Sequence, residues 1–152
     1  MSAWVSDAVS GDEVRKRIPF VKDLGIELVS GEGGRSRVEL NVLPRHLNGW
    51  GGVHGGVTMT VLDVAMAVAA RSLEPEGRGV LTVEMKTSFI QTGPPEGRVA
   101  ATGICVHRSV SLAFCEAELR DDRDRIVARA SGTFKFLRRA ASDDPGVEVS
   151  NS

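Results

Sequence analysis

The chain contains no tyrosine, two tryptophans and five phenylalanines among its 152 residues. Any ligand pocket must therefore be lined mainly by Val, Leu, Met and Phe side chains. Charge of one sign is also missing: 19 Lys and Arg stand against 20 Asp and Glu, a formal net charge of −1. That balance excludes a broad field for attracting nucleic acid or anionic lipid, so an anionic ligand has to be held locally. There are two cysteines, Cys105 and Cys115, too few for a disulfide framework, and both lie in apolar strand-like sequence. The start "MSAWVSDAVSGDEVRK" has neither a basic n-region nor an apolar h-region, which leads us to expect an unprocessed cytoplasmic protein with reduced thiols. Long hydrophobic runs are absent as well. The longest uncharged run, 46–62, is broken by His46, Asn48, five glycines and His54 before it meets Asp63, so no membrane span is expected.

What is there reads as one domain of ordinary size. The stretch "SGDEVRKRIPFVKDLG" offers Ser10 as the N-cap of a short helix that breaks near Pro19 and Gly25. Two alternating runs flank a Gly-rich turn in "IELVSGEGGRSRVELNV", the pattern of a β-hairpin. Residues 57–70 are mostly Val, Ala, Met and Leu on every face, which predicts a helix buried all round. After "EPEGRG" come four alternating segments punctuated by "GPPEG", a short Arg-Ser turn and "DDRD", predicting four successive antiparallel strands. The expected organisation is an N-terminal helical segment over 1–23, a single domain over 24–138 and a polar tail over 139–152. Its class is α+β, with a long central helix wrapped by a curved antiparallel sheet. A sheet covers one side of such a helix, and a partner subunit is the economical cover for the other.

Against that background Asp63 stands out. An ionised carboxylate inside an apolar helix costs roughly several kcal/mol unless something pairs with it. A chain that had only to fold would carry Leu or Ala there, so a reactive carboxylate is the better reading. Gly55 and Gly56 sit where the loop enters the helix, so their amides and the positive helix end form a potential oxyanion site. Taken singly, His54 reads as a capping histidine and Asn48 as a turn residue. His46, His54 and His107 show no ligand spacing, so no metal is expected.

Eight residues separate Gly55 from Asp63, about 12 Å along a helix axis and roughly 80° around it. The two cannot both touch one carbonyl group. If two such helices run antiparallel across a two-fold axis, the glycine end of one comes beside the middle of the other and makes two composite sites.

The string "LNGWGGVHGG", an aspartate eight residues after the first glycine of its last pair, and the strand "VLTVEMKTSF" together resemble the hotdog-fold acyl-CoA thioesterases of the phenylacetic-acid-degradation type. The resemblance runs over about 24–136. It implies a homodimer with shared active sites, doubled to a tetramer, acting on an acyl-CoA with no cofactor beyond the CoA of the substrate. It further implies Asp63 as nucleophile or general base, Gly55 as oxyanion donor, and His54 and Asn48 as residues that orient thioester and loop. Thr82 matches a Ser or Thr placed near the start of the following strand, and Gly56 lies beside the substrate. In that family the turn around residue 109 carries glycine and a basic residue near the CoA nucleotide. This chain reads "HRSVS", with Val110 in place of the base, leaving Arg108, or Arg138 or Arg139, to take the phosphate. A non-catalytic acyl-CoA-binding protein and a hotdog hydratase or dehydratase are the alternatives. The first should lack the helix acid; the second pairs a histidine with a carboxylate to move a proton at the α-carbon.

Overall fold

A computed structural model describes residues 9–138; the expected tail and Arg139 lie outside the described residues. Chain order is α1 (Gly11–Arg17), α2 (Pro19–Leu24), β1 (Ile26–Glu32), β2 (Arg35–Val42), a 3-10 turn (Pro44–His46), α3 (Gly55–Arg71), β3 (Val80–Phe89), β4 (Gly97–Arg108), β5 (Leu112–Asp121) and β6 (Ile126–Phe136). Where one N-terminal helix was expected there are two, because Pro19 cannot continue α1 but suits the first position of α2. Ser10 holds the N-cap position of α1 with extended backbone, yet its side chain makes no capping bond. Gly25 ends α2 in the left-handed region, at φ 77°.

All strand pairs are antiparallel, in the order β1-β2-β4-β5-β6-β3. The expected run of four successive strands is therefore corrected. β4, β5 and β6 form a meander, but β3 lies on the far edge beside β6. Both sides of β4 are already taken, by β2 and β5, so β3 pairs instead with the free edge of β6. The chain returns from β3 through residues 90–96, and that connection presses on the loop before α3. An added Cβ at Gly52 would stand 2.5 Å from Thr92, and one at Gly93 would stand 2.9 Å from Val53.

The inner face of the sheet packs against α3, chiefly through β4, β5 and β2. Val61, Leu62, Ala65, Met66, Ala69 and Ala70 are fully enclosed. The helix is not buried all round, as composition suggested: Met59, Thr60, Asp63, Ala67 and Arg71 follow a helical stripe that stays partly open. The sheet covers one side of α3. The N-terminal helices approach the other, with Val14 and Val21 buried in the same core, and leave a cleft between. No helix among the described residues is long and apolar enough to cross a membrane.

Helix backbone and sheet come into direct contact at Gly103, where an added Cβ would clash with the Ala65 carbonyl oxygen and lie 2.6 Å from Ser36 Oγ. Ser36 donates to that same carbonyl at 2.6 Å, so neither neighbour can withdraw freely. Gly103→Ala should destabilise the fold by about 2–3 kcal/mol. Gly49→Ala, which meets nothing within 4 Å, should change little; denaturant midpoints of the two variants check this.

Candidate active site

The loop feeding α3 is built around its own polar groups. Asn48 Oδ1 accepts from the Trp50 and Gly52 amides at 2.8 and 3.2 Å, which folds 48–52 into a side-chain-closed turn. His46 is fully buried; its Nδ1 accepts from the Leu43 amide at 2.9 Å and its Nε2 donates to the Leu24 carbonyl at 2.7 Å. Asn48 and His46 thus shape the loop.

His54 is the N-cap of α3, and its Nδ1 accepts from the Gly56 amide at 2.9 Å. This separates the two glycines chemically. The Gly56 N–H is spent on the cap, whereas the Gly55 N–H, at the first helical position, has no intrahelical acceptor. Gly55 faces a cleft of about 440 Å³ that it shares with Asn48, Phe89 and Gln91. Its glycine character has a steric cause there, because an added Cβ would lie 3.3 Å from the Phe89 ring.

Asp63 lies two turns further along the helix, half-buried in a different cavity. That cavity, about 470 Å³, is walled by Val14, Ile18 and Phe20 from the N-terminal helices, Met59 from α3, and Leu81 and Met85 from β3. Thr82 Oγ1 donates to Asp63 Oδ1 at 2.7 Å. Burial raises the Asp63 pKa above the ordinary carboxylate value, and the Thr82 bond offsets part of that rise.

Thr82 reaches Asp63 because of a bulge. The β3–β6 register shifts between Thr82 and Glu84, so that Thr82, Met85, Thr87 and Phe89 oppose Phe134, Gly132, Ala130 and Ala128. Buried Phe134, Ala130 and Ala128 mark those positions as the helix side of the sheet. Without the extra residue, strict alternation would send Thr82 to the face opposite Met85 and Phe89.

Of the residues expected to hold the CoA phosphates, Arg108 is engaged elsewhere. Arg108 donates to the Leu73 carbonyl at 2.6 Å and to Glu74 Oε1 at 3.3 Å, and stands 4.7 Å from the Phe136 ring centre. Arg78 pairs with the same carboxylate at 3.0 Å. Burial opposes ionisation of Glu74, but the bonds and charge of Arg78, with the charge of Arg108, outweigh it and lower its pKa. Val110 is fully on the surface; its carbonyl accepts from Arg78 at 3.3 Å. Arg138 is exposed at the end of the described residues.

The predicted site residues therefore form two groups within one chain. Asp63 and Thr82 share one cavity. Asn48, His54, Gly55 and Gly56 gather about the helix N-terminus. His54 Nδ1 is committed to the cap and lies outside the Asp63 cavity, so the histidine and the carboxylate are not paired within one chain. Two contributors escaped sequence reasoning: Phe89, whose facing depends on the bulge, and the Val14–Ile18–Phe20 wall, whose apolar residues carry no motif.

The raised Asp63 pKa has a measurable sign. Ionised Asp63 opposes folding at a pH above both its folded and unfolded pKa values, and the cost disappears once acid protonates the group in both states. Asp63→Asn should accordingly be at least as stable as wild type at pH 7, its advantage shrinking toward about pH 4, the ordinary carboxylate range. Urea midpoints measured across that interval provide the check.

Comparison with known proteins agrees with the geometry. Residues 51–128 match the family model of the thioesterase superfamily. The chain is 30% identical over 117 residues to the 1,4-dihydroxy-2-naphthoyl-CoA hydrolase of Listeria monocytogenes, covering 76% of this chain and 94% of that one. The E. coli PaaI protein of the phenylacetic acid degradation operon shares the fold, with a TM-score of 0.77 at 23% identity over 84% of this chain and 90% of the other. A conserved protein from Pseudomonas aeruginosa superposes with a TM-score of 0.74 at 30% identity, over 78% and 93% of the two chains. With its long helix laid on a six-stranded antiparallel sheet, the chain belongs to the thioesterase superfamily and is a hotdog-fold thioester hydrolase.

Proposed function

We propose that the chain hydrolyses an aryl- or medium-chain acyl-CoA to the free acid and CoA, with Asp63 as general base. The observation that carries this reading is Asp63 itself, half-buried beside an apolar cavity with one carboxylate oxygen held by Thr82. A cavity of about 470 Å³ walled by Val, Ile, Phe, Leu and Met suits an apolar acyl group. One relative acts, by its name, on an aryl-CoA thioester. The Thr82 hydroxyl spends its proton on Asp63 Oδ1, and its lone pairs remain to accept from a water. Asp63 Oδ2 takes the second proton of that water as its oxygen bonds to the thioester carbon. The C=O electron pair moves onto oxygen, where the Gly55 amide of a partner subunit stabilises it, an interaction worth about 3 kcal/mol. Collapse expels the CoA thiolate, which recovers the proton from Asp63.

The partner enters because Asp63 and Gly55 open into separate clefts of one chain. β3 supplies the means. It is an edge strand ten residues long, with Leu81, Val83 and Phe89 all more than half exposed, and such an edge invites pairing. Thr82, beside Asp63, lies near one end of β3; Phe89, against Gly55, lies at the other. Two β3 strands paired antiparallel about a two-fold near Met85 and Lys86 bring the Thr82 end of each subunit to the Phe89 end of its partner. Each site then receives a base from one chain and an amide from the other.

A thiol-release assay over a panel of acyl-CoAs tests the chemistry. Asp63→Asn should lose most turnover on the best substrate while remaining dimeric, and near-wild-type rates would sink the assignment. Because activity needs the carboxylate, the acid limb of kcat/KM should lie above the ordinary Asp value. Removing a bond that lowers the pKa, in Thr82→Val, should move that limb to still higher pH.

Complementation tests the composite site. Gly55→Pro removes the amide, and His54, at φ −60° and ψ 136°, already has the extended backbone that precedes proline. Mixed with Asp63→Asn chains after complete subunit exchange, about half the dimers are heterodimers, each with one intact site. Activity should recover to roughly a quarter of wild type per chain. A mixture no more active than its parents, with exchange shown by mass-tagged chains, would place the site within one subunit.

A further inference from the structure

Cys105 and Cys115 take no part in the site described above. They stand directly opposite one another, as register partners on β4 and β5. The Cys105 amide donates to Gly34 at 2.8 Å, away from β5. Because the N–H and C=O of a strand residue point the same way, Cys105 and Cys115 form a non-hydrogen-bonded pair, the class in which Cα atoms stand about 4.5 Å apart and side chains are closest. That separation lies within the range a disulfide spans.

The two thiols differ in environment. Cys115 is buried in the inward row with Ala113, Ala117 and Leu119, whereas Cys105 is partly exposed. The neighbouring Cys115 thiol, with the His107 backbone and the charge of Arg108, outweighs desolvation and lowers the Cys105 pKa to about 7; the same contact, with burial, raises that of Cys115. Of the two thiols, Cys105 is therefore the one whose environment favours the thiolate, the nucleophilic form.

We propose that Cys105 and Cys115 form a peroxide-reactive dithiol, in which a hydroperoxide oxidises Cys105 and Cys115 then closes a cross-strand disulfide. In the first step the Cys105 thiolate sulfur bonds to a peroxide oxygen and the O–O bond breaks, giving Cys105 sulfenic acid and, after protonation, water or an alcohol. In the second, the Cys115 sulfur bonds to the Cys105 sulfur, the S–O bond breaks, and water leaves with the thiol proton. Two thiols are oxidised and one peroxide is reduced. A dithiol reductant reverses the bridge by exchange.

The test treats the reduced full-length protein with a small excess of hydrogen peroxide at neutral pH. Wild type should lose two hydrogens in intact mass, yield a Cys105–Cys115 peptide on non-reducing digestion, and return to its starting mass with dithiothreitol. Cys115→Ser, unable to close the bridge, should accumulate a sulfenic acid on Cys105 that dimedone captures, while Cys105→Ser should stay unmodified at Cys115. Wild type that remains fully reduced, bridges that form only between chains, or a Cys105→Ser variant that oxidises as fast as wild type would each overturn the proposal. The wild-type mass measurement decides even if a variant fails to fold.

Discussion

The contact between α3 and the sheet at Gly103 sets the geometry on which everything else rests. With no Cβ at that position, the helix backbone at Ala65 settles directly onto β4, and the Ser36 hydroxyl ties the same carbonyl to β2. Once α3 is seated there, its neighbours along the chain have little freedom. Asp63, two residues before Ala65, is turned toward β3 and the N-terminal helices. Gly55, two turns earlier, is brought against Phe89. A bulkier residue at Gly103 would lift the helix and disturb both clefts together, since close-packed interiors transmit strain.

Two buried carboxylates show how differently the fold treats charge. Glu74 is 1% exposed, yet two guanidiniums and two backbone amides hold it ionised. It is a satisfied structural anion at the end of α3, and it draws Arg108 and Arg78 inward with it. Asp63 is less buried but has one neutral donor, Thr82, and its pKa rises instead. A carboxylate whose environment supports its charge so incompletely is a poor contribution to stability and a suitable base. The contrast supports the base proposed for Asp63 more strongly than burial alone would.

The β3 bulge links fold and site. One extra residue at Val83 turns Thr82 to the helix side, in line with Met85 and Phe89, and so gives the strand an end at each cleft. The first end touches Asp63 and the second touches Gly55. Since β3 is also an unpaired edge, the strand that positions both halves of the proposed site is the one that could join two subunits.

Much of this was legible in the residues. Period-two and glycine signals gave the hairpin, the long helix and the later strands, because each rests on local backbone and burial preferences. Asp63 was conspicuous because a charge in an apolar helix has a large cost that composition alone exposes. The helix pitch alone separates Gly55 from Asp63. What the residues could not convey were the long-range choices. They did not show that β3 crosses to β6, since that depends on which strand edges remain free. Nor did they show that Thr82 faces inward, since a bulge breaks the alternation on which facing is read. Arg108 looked like a free cation because its partner Glu74 lies 34 positions away. Interactions within a few residues of chain set the elements and exposed the odd carboxylate. Which groups meet was settled by the packing of distant segments, a pairing that no local pattern encodes.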